Sequence, residues 1–227
     1  MNIKILNRNA LKIIALLTML IDHIGFYFFP GQVVYRIIGR LSFPLFAFFI
    51  AEGVFYTGNR KKYFALLLIF ALISQPFYSL FFGAGKLNIL FTFLFSVCAI
   101  ILIEKLKNKS AKTFLFYILL FALILFVLIL SLRAAIDYGF LGCALPVGFY
   151  FLRDSKQKYL FFVLANALIA LPVIIYNPLE ISSYNQLFAT LSVFLLLMYS
   201  GENGKLNLKY LFYIFYPLHL LLLYLIK

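Results

Sequence analysis

The sequence predicts an all-α protein, a polytopic integral membrane helical bundle with about nine transmembrane helices, its N-terminus cytoplasmic and its C-terminus outside. Two compositional observations exclude a soluble domain. Of the 227 residues, 65% are hydrophobic and only 12% are charged, whereas about a quarter of the residues of a soluble domain are charged. The apolar residues are spread over the whole chain, so no polar shell can cover them and they require lipid as their solvent.

Short polar clusters divide the chain into nine apolar stretches, most of them near the roughly 17 to 25 residues that cross a bilayer. The stretches are 10–29, 34–56, 63–82, 87–103, 113–132, 139–152, 159–176, 186–200 and 208–226. The sixth and eighth are the shortest. The first is too long for a signal peptide and no A-x-A cleavage site follows it, so we expect it to be retained. Because the connections are short and no repeat is seen, residues 1–227 are predicted to form one membrane domain.

The distribution of Lys and Arg is the third observation, and it gives the orientation. Most of the 20 Lys and Arg residues fall in the N-terminal segment and in the loops after the even-numbered stretches. The positive-inside rule places these segments in the cytoplasm. Topology and attraction to anionic membrane lipid therefore account for the net charge of +13, and nucleic acid is not an expected partner.

Ionisable side chains inside membrane-spanning stretches are costly and are therefore candidates for function. Asp22 and His23 lie past the middle of the first stretch, Arg36 and Arg40 near the start of the second, and His219 in the ninth. The predicted topology places all five in the outer half of the bilayer. Other polar residues lie near the outer ends of further stretches: Asn88, Arg133, Asp137, Tyr138, Asn185 and Gln186. This convergence predicts a polar cavity open to the outside.

Several interpretations of these residues remain open. Asp22 either forms a structural ion pair with Arg36 or Arg40, or the two arginines, four residues apart on one helix face, bind an anionic group together. Asp22 and His23 are adjacent and point about 100° apart on a helix, so the group that orients His23 should come from another helix. Glu52, in the inner half, either extends towards the cytoplasmic interface or lines a cytoplasmic vestibule.

Prolines inside the predicted stretches favour kinks or breaks that free backbone carbonyls. They are Pro44, Pro76, Pro146, Pro172 and Pro217. Such breaks are tolerated in membrane proteins where the bundle encloses polar groups, so they give weak support to a cavity.

The two histidines are the chemical candidates, because a neutral imidazole can take a proton from an amine or hydroxyl that attacks an activated acyl group. No nucleotide-binding, zinc-protease or serine-hydrolase motif is found, and Cys98 and Cys143 lack metal-ligand spacing, so no metal is expected. Another class of function remains open, a small proton-coupled transporter with Asp22, His23 and His219 as a relay. A scaffold subunit, in which the charges only fix packing, is the third interpretation.

The same residues lie in segments that resemble the TraX family, named for the acetylase of conjugative pilin. The resembling segments are 11–15, 19–25, 39–48, 51–53, 60–63, 74–76, 88–92, 137–139, 185–186 and 212–220. They cover essentially the whole chain and are specific in combination. The resemblance implies one transmembrane acyltransferase-like domain over residues 1–227, in the cell membrane with several passes, and a bacterial cytoplasmic membrane is expected.

The resemblance further implies transfer of an acetyl group from cytoplasmic acetyl-CoA to an amine or hydroxyl at the outer face, on a protein such as pilin, a polysaccharide or a lipid. The predicted catalytic residues are His23, Asp22 and His219. The predicted substrate-binding residues are Arg36, Arg40, Glu52, Asn88, Asp137, Tyr138 and Gln186, and the predicted residues for the CoA phosphates are Arg60, Lys61 and Lys62. Because the polar residues favour the outer half, the thioester has to reach inward from the cytoplasm through a cavity.

Overall fold

The computed structural model describes residues 4–107, 113–133, 135–205 and 208–226, and within them it is helical, with isolated β-bridges but no strand. The helices are α1 (Arg8–Phe28), α2 (Val33–Gly39), α3 (Ser42–Tyr56), α4 (Arg60–Phe82), α5 (Ile89–Lys107), α6 (Thr113–Leu132), α7 (Gly139–Phe151), α8 (Gln157–Tyr176), a 3₁₀ helix (Ile181–Leu191), α9 (Ser192–Leu197) and α10 (Lys209–Ile226). The predicted all-α fold is confirmed.

Every predicted stretch is largely helical, but the stretches differ in length. Six are long and apolar enough to cross a membrane: Arg8–Phe28, Val33–Tyr56, Arg60–Phe82, Ile89–Lys107, Phe114–Leu132 and Gln157–Tyr176. Three further apolar helical segments among the described residues are shorter: Gly139–Phe151, Ile181–Leu197 and Tyr210–Ile226. The protein is therefore a multi-pass membrane protein with six helical segments of full spanning length in its described part, of which Val33–Tyr56 consists of the two helices α2 and α3.

The second stretch is interrupted between α2 and α3. Pro44 lies in the first turn of α3 and has no N–H to donate to the carbonyl of Arg40, so the helical ladder cannot continue through this point. Arg40 instead closes α2, with its N–H bonded to the carbonyls of Arg36 and Ile37 at 3.1 and 3.2 Å. The break leaves Arg40 at the junction of the two helices. The other prolines of the predicted stretches lie inside continuous helices: Pro76, Pro146, Pro172 and Pro217.

The eighth stretch begins earlier than predicted and is mostly a 3₁₀ helix. Its 3₁₀ part, Ile181–Leu191, has 11 residues, whereas 3₁₀ runs longer than about four residues are uncommon. At about 2.0 Å per residue this part spans roughly 22 Å, and α9 adds about 9 Å at the α-helical rise. A short segment thus reaches about the 30 Å thickness of the hydrocarbon core.

Ion pairs show that the starts of some helices lie beside the ends of others at one end of the bundle. Arg8 at the start of α1 and Arg153 after α7 both contact Glu52 near the end of α3, at 3.9 and 2.9 Å. Arg60 at the start of α4 pairs with Glu104 near the end of α5. We call the end of the bundle that carries these five residues the basic end. It contains the segments predicted to be cytoplasmic, and the side of the membrane that it faces stays a prediction.

The core of the bundle lies where α1, α3, α5 and α7 meet. Leu11, Leu45, Val97 and Leu145, one from each helix, have no solvent exposure. In contrast, α6 packs on α5 and α7 and leaves most of its large apolar side chains exposed, as expected of a helix at the lipid boundary. The centrally placed α1 therefore connects the basic end with the polar residues near its C-terminus.

Candidate active site

A cavity of about 830 Å³ lies towards the end of the bundle opposite the basic end. Its polar lining comes from segments that are far apart in the sequence: Asp22 and His23 of α1, Arg36 and Arg40 of α2 and the break, Lys86 after α4, Asp137 and Tyr138 before α7, and Gln186 of the 3₁₀ helix. Most of the polar residues that the sequence placed in the outer half of the bilayer meet here. The acidic and basic side chains give the cavity a mixed charge.

The two histidines form a direct contact between α1 and α10. The Nδ1 atom of His23 lies 2.7 Å from the Nε2 atom of His219, and the two rings are almost parallel, at 3°. Both side chains are buried, and the rings of Phe81 and Phe82 flank His23. The group that orients His23 therefore comes from another helix, as its sequence position required.

A backbone carbonyl sets the direction of this hydrogen-bonded pair. The Nδ1 atom of His219 lies 2.7 Å from the carbonyl oxygen of Phe215. Because a carbonyl oxygen only accepts, this Nδ1 must carry the hydrogen, and a neutral His219 then presents a lone pair at Nε2. That lone pair accepts the hydrogen of His23 Nδ1. His23 is left with an unprotonated Nε2, the form that a general base needs.

Asp22 pairs with Arg36. The Nη1 atom of Arg36 donates to Oδ2 of Asp22 at 2.7 Å and also reaches the backbone oxygen of Asp22 at 3.4 Å. Asp22 thus forms the structural ion pair with Arg36, while Arg40 has a different partner. The other carboxylate oxygen of Asp22 is buried without a hydrogen-bond partner in the described part of the chain, so Asp22 keeps one free acceptor.

The close approach of α1 and α2 that permits this pair depends on Gly39. A Cβ atom at Gly39 would collide with the side chain of Asp22. We expect Gly39→Ala to lower the free energy of unfolding by about 1–3 kcal/mol, the usual effect of overpacking. Gly31→Ala is the matched control, because nothing lies within 4 Å of its Cβ position. The measurement is thermal unfolding followed with a thiol-reactive dye, which suits a chain with no Trp and a buried Cys143; equal midpoints for the two variants would contradict the prediction.

A chain of amides holds the partner of Arg40. Asn166, fully buried in α8, donates to the carbonyl of Phe162 at 2.9 Å and accepts from Nε2 of Gln186 at 3.0 Å. The Oε1 atom of Gln186 is thereby turned towards Nη1 of Arg40, at 3.5 Å. The Nε atom of Arg40 is buried without a partner among the described residues. Arg40 is therefore a positioned cation with a donor to spare.

Asp137 and Tyr138 form the wall of the cavity in front of α7. The hydroxyl of Tyr78 donates its one hydrogen to the carboxylate of Asp137, whose two oxygens lie 3.1 and 3.0 Å from the hydroxyl oxygen. Burial raises the pKa of the Asp137 carboxyl, and the bond from Tyr78 acts in the opposite direction. Tyr138 has a left-handed backbone, with φ of 60°, and its ring stacks on Phe43 at 3.8 Å. Strain of this kind persists where the surrounding packing imposes it, often at functional sites.

Some predicted site residues lie outside the cavity. Asn88 is fully buried and its amide bonds the carbonyl of Ala71 and the side chain of Gln75, at 2.8 and 2.9 Å. These hydrogen bonds of Asn88 hold the α4–α5 connection against α4. Glu52 lies at the basic end in its ion pairs with Arg8 and Arg153, and so does not meet the other predicted substrate-binding residues.

The three predicted phosphate-binding residues also lie at the basic end. Arg60 is already engaged, since it pairs with Glu104 and donates to the hydroxyl of Tyr150 at 3.1 Å. Lys61 and Lys62 are exposed. Binding of CoA phosphates by these residues stays a prediction.

Sequence reasoning missed Tyr78, Lys86 and Asn166. Tyr78 contacts Asp137, Lys86 lines the cavity, and Asn166 positions Gln186. Of these three, only Asn166 gave a signal in the sequence. It lies in the middle of the apolar stretch 159–176, where a polar residue needs a partner. Tyr78 is one of 16 tyrosines, so its residue type alone did not distinguish it. Within the described ranges, no group of three or more His, Cys, Asp or Glu side chains has the geometry of a metal site.

The fold and this geometry define a multi-pass helical membrane protein with a buried histidine pair beside a polar cavity. The chain belongs to the TraX family, since the family model described as TraX protein matches residues 7–227. The resemblance seen in the sequence segments is thus confirmed.

Two relatives are similar to the chain. A probable fimbrial assembly protein FimC, serogroup H1, of Dichelobacter nodosus is 28% identical over 246 aligned residues, which cover 94% of this chain and 92% of that protein. An uncharacterized protein of Rickettsia prowazekii (strain Madrid E) is 27% identical over 152 residues, which cover 66% of this chain and 58% of that protein. No solved structure matches the chain.

Proposed function

We propose that this protein is a membrane acetyltransferase that moves an acetyl group from acetyl-CoA to an amine or hydroxyl acceptor in the polar cavity. The observation that carries the proposal is the directional contact from Phe215 through His219 to His23, which leaves a lone pair on a histidine that lines the cavity. Membership of a family named for pilin acetylation supports the same chemistry. We place the protein in the bacterial cytoplasmic membrane with its basic end in the cytoplasm.

The reaction can be written with the residues of the cavity. The acceptor N or O attacks the thioester carbonyl carbon while Nε2 of His23 takes the acceptor proton, and Nδ1–H of His23 stays bonded to His219. The tetrahedral intermediate carries a negative charge on the former carbonyl oxygen, near which Arg40 supplies a fixed cation. Collapse breaks the C–S bond, and the protonated His23 returns its proton to the leaving CoA sulfur. His23 is then neutral again and ready for the next cycle.

The acceptor is proposed as a class. The relative from Dichelobacter nodosus is named as a fimbrial assembly protein, which favours a protein amine of a pilus or fimbrial system. A hydroxyl of a polysaccharide or lipid would satisfy the same cavity chemistry, because His23 can take a proton from either group. The acceptor would enter from the outer face, opposite the basic end.

Proton-coupled transport is less well supported by the geometry. A relay needs each group to accept a proton on one side and release it on the other, but Nδ1 of His219 donates to the carbonyl of Phe215, which cannot pass a proton on. Asp22 is paired with Arg36 instead of with His23. Flux driven by a pH gradient in proteoliposomes without acetyl-CoA would reverse this preference.

The test needs no knowledge of the acceptor, because water can replace it slowly. The full chain in lipid nanodiscs is expected to release free CoA from acetyl-CoA, and a variant with both His23→Ala and His219→Ala is expected to fall to the rate of empty nanodiscs. The loss follows from removal of the general base. Folding of the variant is checked by its thermal midpoint. A folded wild type without any release or binding of acetyl-CoA would refute the proposal.

A further inference from the structure

A second, apolar pocket of about 190 Å³ lies between the basic end and the polar cavity. At the basic end its wall contains Lys12, Gly53 and Tyr63, which lie near the start of α1, the end of α3 and the start of α4. Deeper in the bundle, Met19 and Tyr216 line both this pocket and the polar cavity. The two spaces therefore share part of their lining and are neighbours.

Lys12 gives the apolar pocket a single cationic group. Its ammonium lies over the rings of Phe212 and Phe49, at 4.6 and 5.4 Å from their centroids. It has no ion-pair partner within the described residues. The only other charged group in the immediate turn is Arg8, which is already paired with Glu52. An ammonium held by aromatic faces and without a carboxylate remains available to an anionic ligand.

The distance between Lys12 and the histidine pair selects a kind of ligand. Lys12 and His23 are both on α1, so the helical rise separates them by about 16 Å. The pantetheine arm of CoA, from its phosphate to its sulfur, has a backbone comparable with four or five extended residues and spans roughly 15 Å. The apolar pocket has a cation at one end and at the other borders the cavity that His23 lines, an order that fits a thin chain with an anionic head and a thioester tip.

We propose that the apolar pocket is the donor passage, which holds the pantetheine arm of acetyl-CoA with Lys12 at its phosphates and its thioester beside His23. This inference rests on the proposed function and assigns the donor site within it. It explains how a cytoplasmic donor reaches a cavity that faces the other side of the membrane. It also replaces Arg60, whose guanidinium is already engaged by Glu104, as the first residue to test for phosphate binding.

Two acetyl donors, one with and one without the phosphates, test the binding of the phosphates separately from the binding of the pantetheine arm. With the full chain in nanodiscs, Lys12→Met is expected to raise KM for acetyl-CoA roughly tenfold, the effect of one lost contact to a charged group. For S-acetylpantetheine, which lacks the phosphates, KM is expected to stay unchanged. The matched control is Lys156→Met, an exposed lysine in the turn between Arg153 and α8, which should leave both values unchanged.

A second variant tests the passage itself. Ile50 lines the apolar pocket, and Ile50→Trp is expected to fill it and lower kcat/KM at least tenfold for both donors. Ile69→Trp is the control, because Ile69 lies on α4 with 50% of its surface exposed. Thermal midpoints of all variants show whether they fold.

The outcomes distinguish the two proposals. If the wild type turns over acetyl-CoA and both Lys12→Met and Ile50→Trp show unchanged donor kinetics, the donor passage is overturned and the acetyltransferase assignment stays in place. The same conclusion would follow if a lipid chain were found to fill the apolar pocket. An equal change for both donors in folded Lys12→Met would overturn the role of Lys12 at the phosphates. A folded wild type that neither binds nor consumes acetyl-CoA would overturn the proposed function together with the donor passage.

Discussion

Replacement of His23 by alanine is expected to lower the rate of acetyl-CoA turnover by about 10²–10⁴-fold, the usual contribution of a general base. The protein should still fold, because His23 lines a cavity, and its replacement removes only this side chain's contacts with His219, Phe81 and Phe82. The rate of CoA release in nanodiscs measures the loss. Free imidazole added to His23→Ala should recover part of the rate, since the vacated space opens on a cavity of about 830 Å³. A packing role for His23 would give a lower thermal midpoint and no recovery.

His219 provides the control for this prediction, because its proposed role is to position His23. Its Nε2 atom accepts a hydrogen bond from Nδ1 of His23, and the amide oxygen of Gln can occupy a similar place. His219→Gln should therefore retain much more activity than His219→Leu, which offers no acceptor. Equal losses in both variants would show that His219 takes part in proton transfer itself.

The sequence was sufficient to predict the class of fold. Long apolar stretches such as 113–132 coincide with a helix, Thr113–Leu132, because in lipid every backbone polar group must be hydrogen-bonded, and a helix achieves this within a single segment. The alternation of basic loops also predicted which helix ends lie together, as the contact of Arg153 with Glu52 shows. The 3₁₀ form of Ile181–Leu191 could not be predicted from the sequence, since hydropathy carries no information on helical pitch.

The end of the bundle at which the site residues lie could be predicted, but their direction around each helix could not. Topology placed Asn88 and Asp137 at the same end, and the structure buries the first in a turn and directs the second to the cavity. The pairing of His23 with His219 depends on the rotation of α1 against α10. That rotation is set by packing between many apolar side chains, and no local pattern encodes it.

Arg40→Met is expected to lower kcat by about 10²–10³-fold, the effect of removing one fixed donor to a developing oxyanion. The reason lies in the way Arg40 is held: Gln186, itself positioned by Asn166, accepts from one end of the guanidinium, while the Nε atom stays buried without a partner in the described part of the bundle. Arg40→Lys should not restore the rate, because an ammonium cannot reproduce the planar set of donors.

The division of the effect between kcat and KM decides what Arg40 does. A group that stabilises only the transition state lowers kcat and kcat/KM equally, whereas a group that binds the acceptor raises KM with kcat unchanged. Arg133→Met is the matched control, since Arg133 is exposed and lies outside the cavity, and it should leave both constants unchanged. A rise in KM for an anionic acceptor alone would assign Arg40 to acceptor binding, and the oxyanion would then need a different donor from the cavity wall.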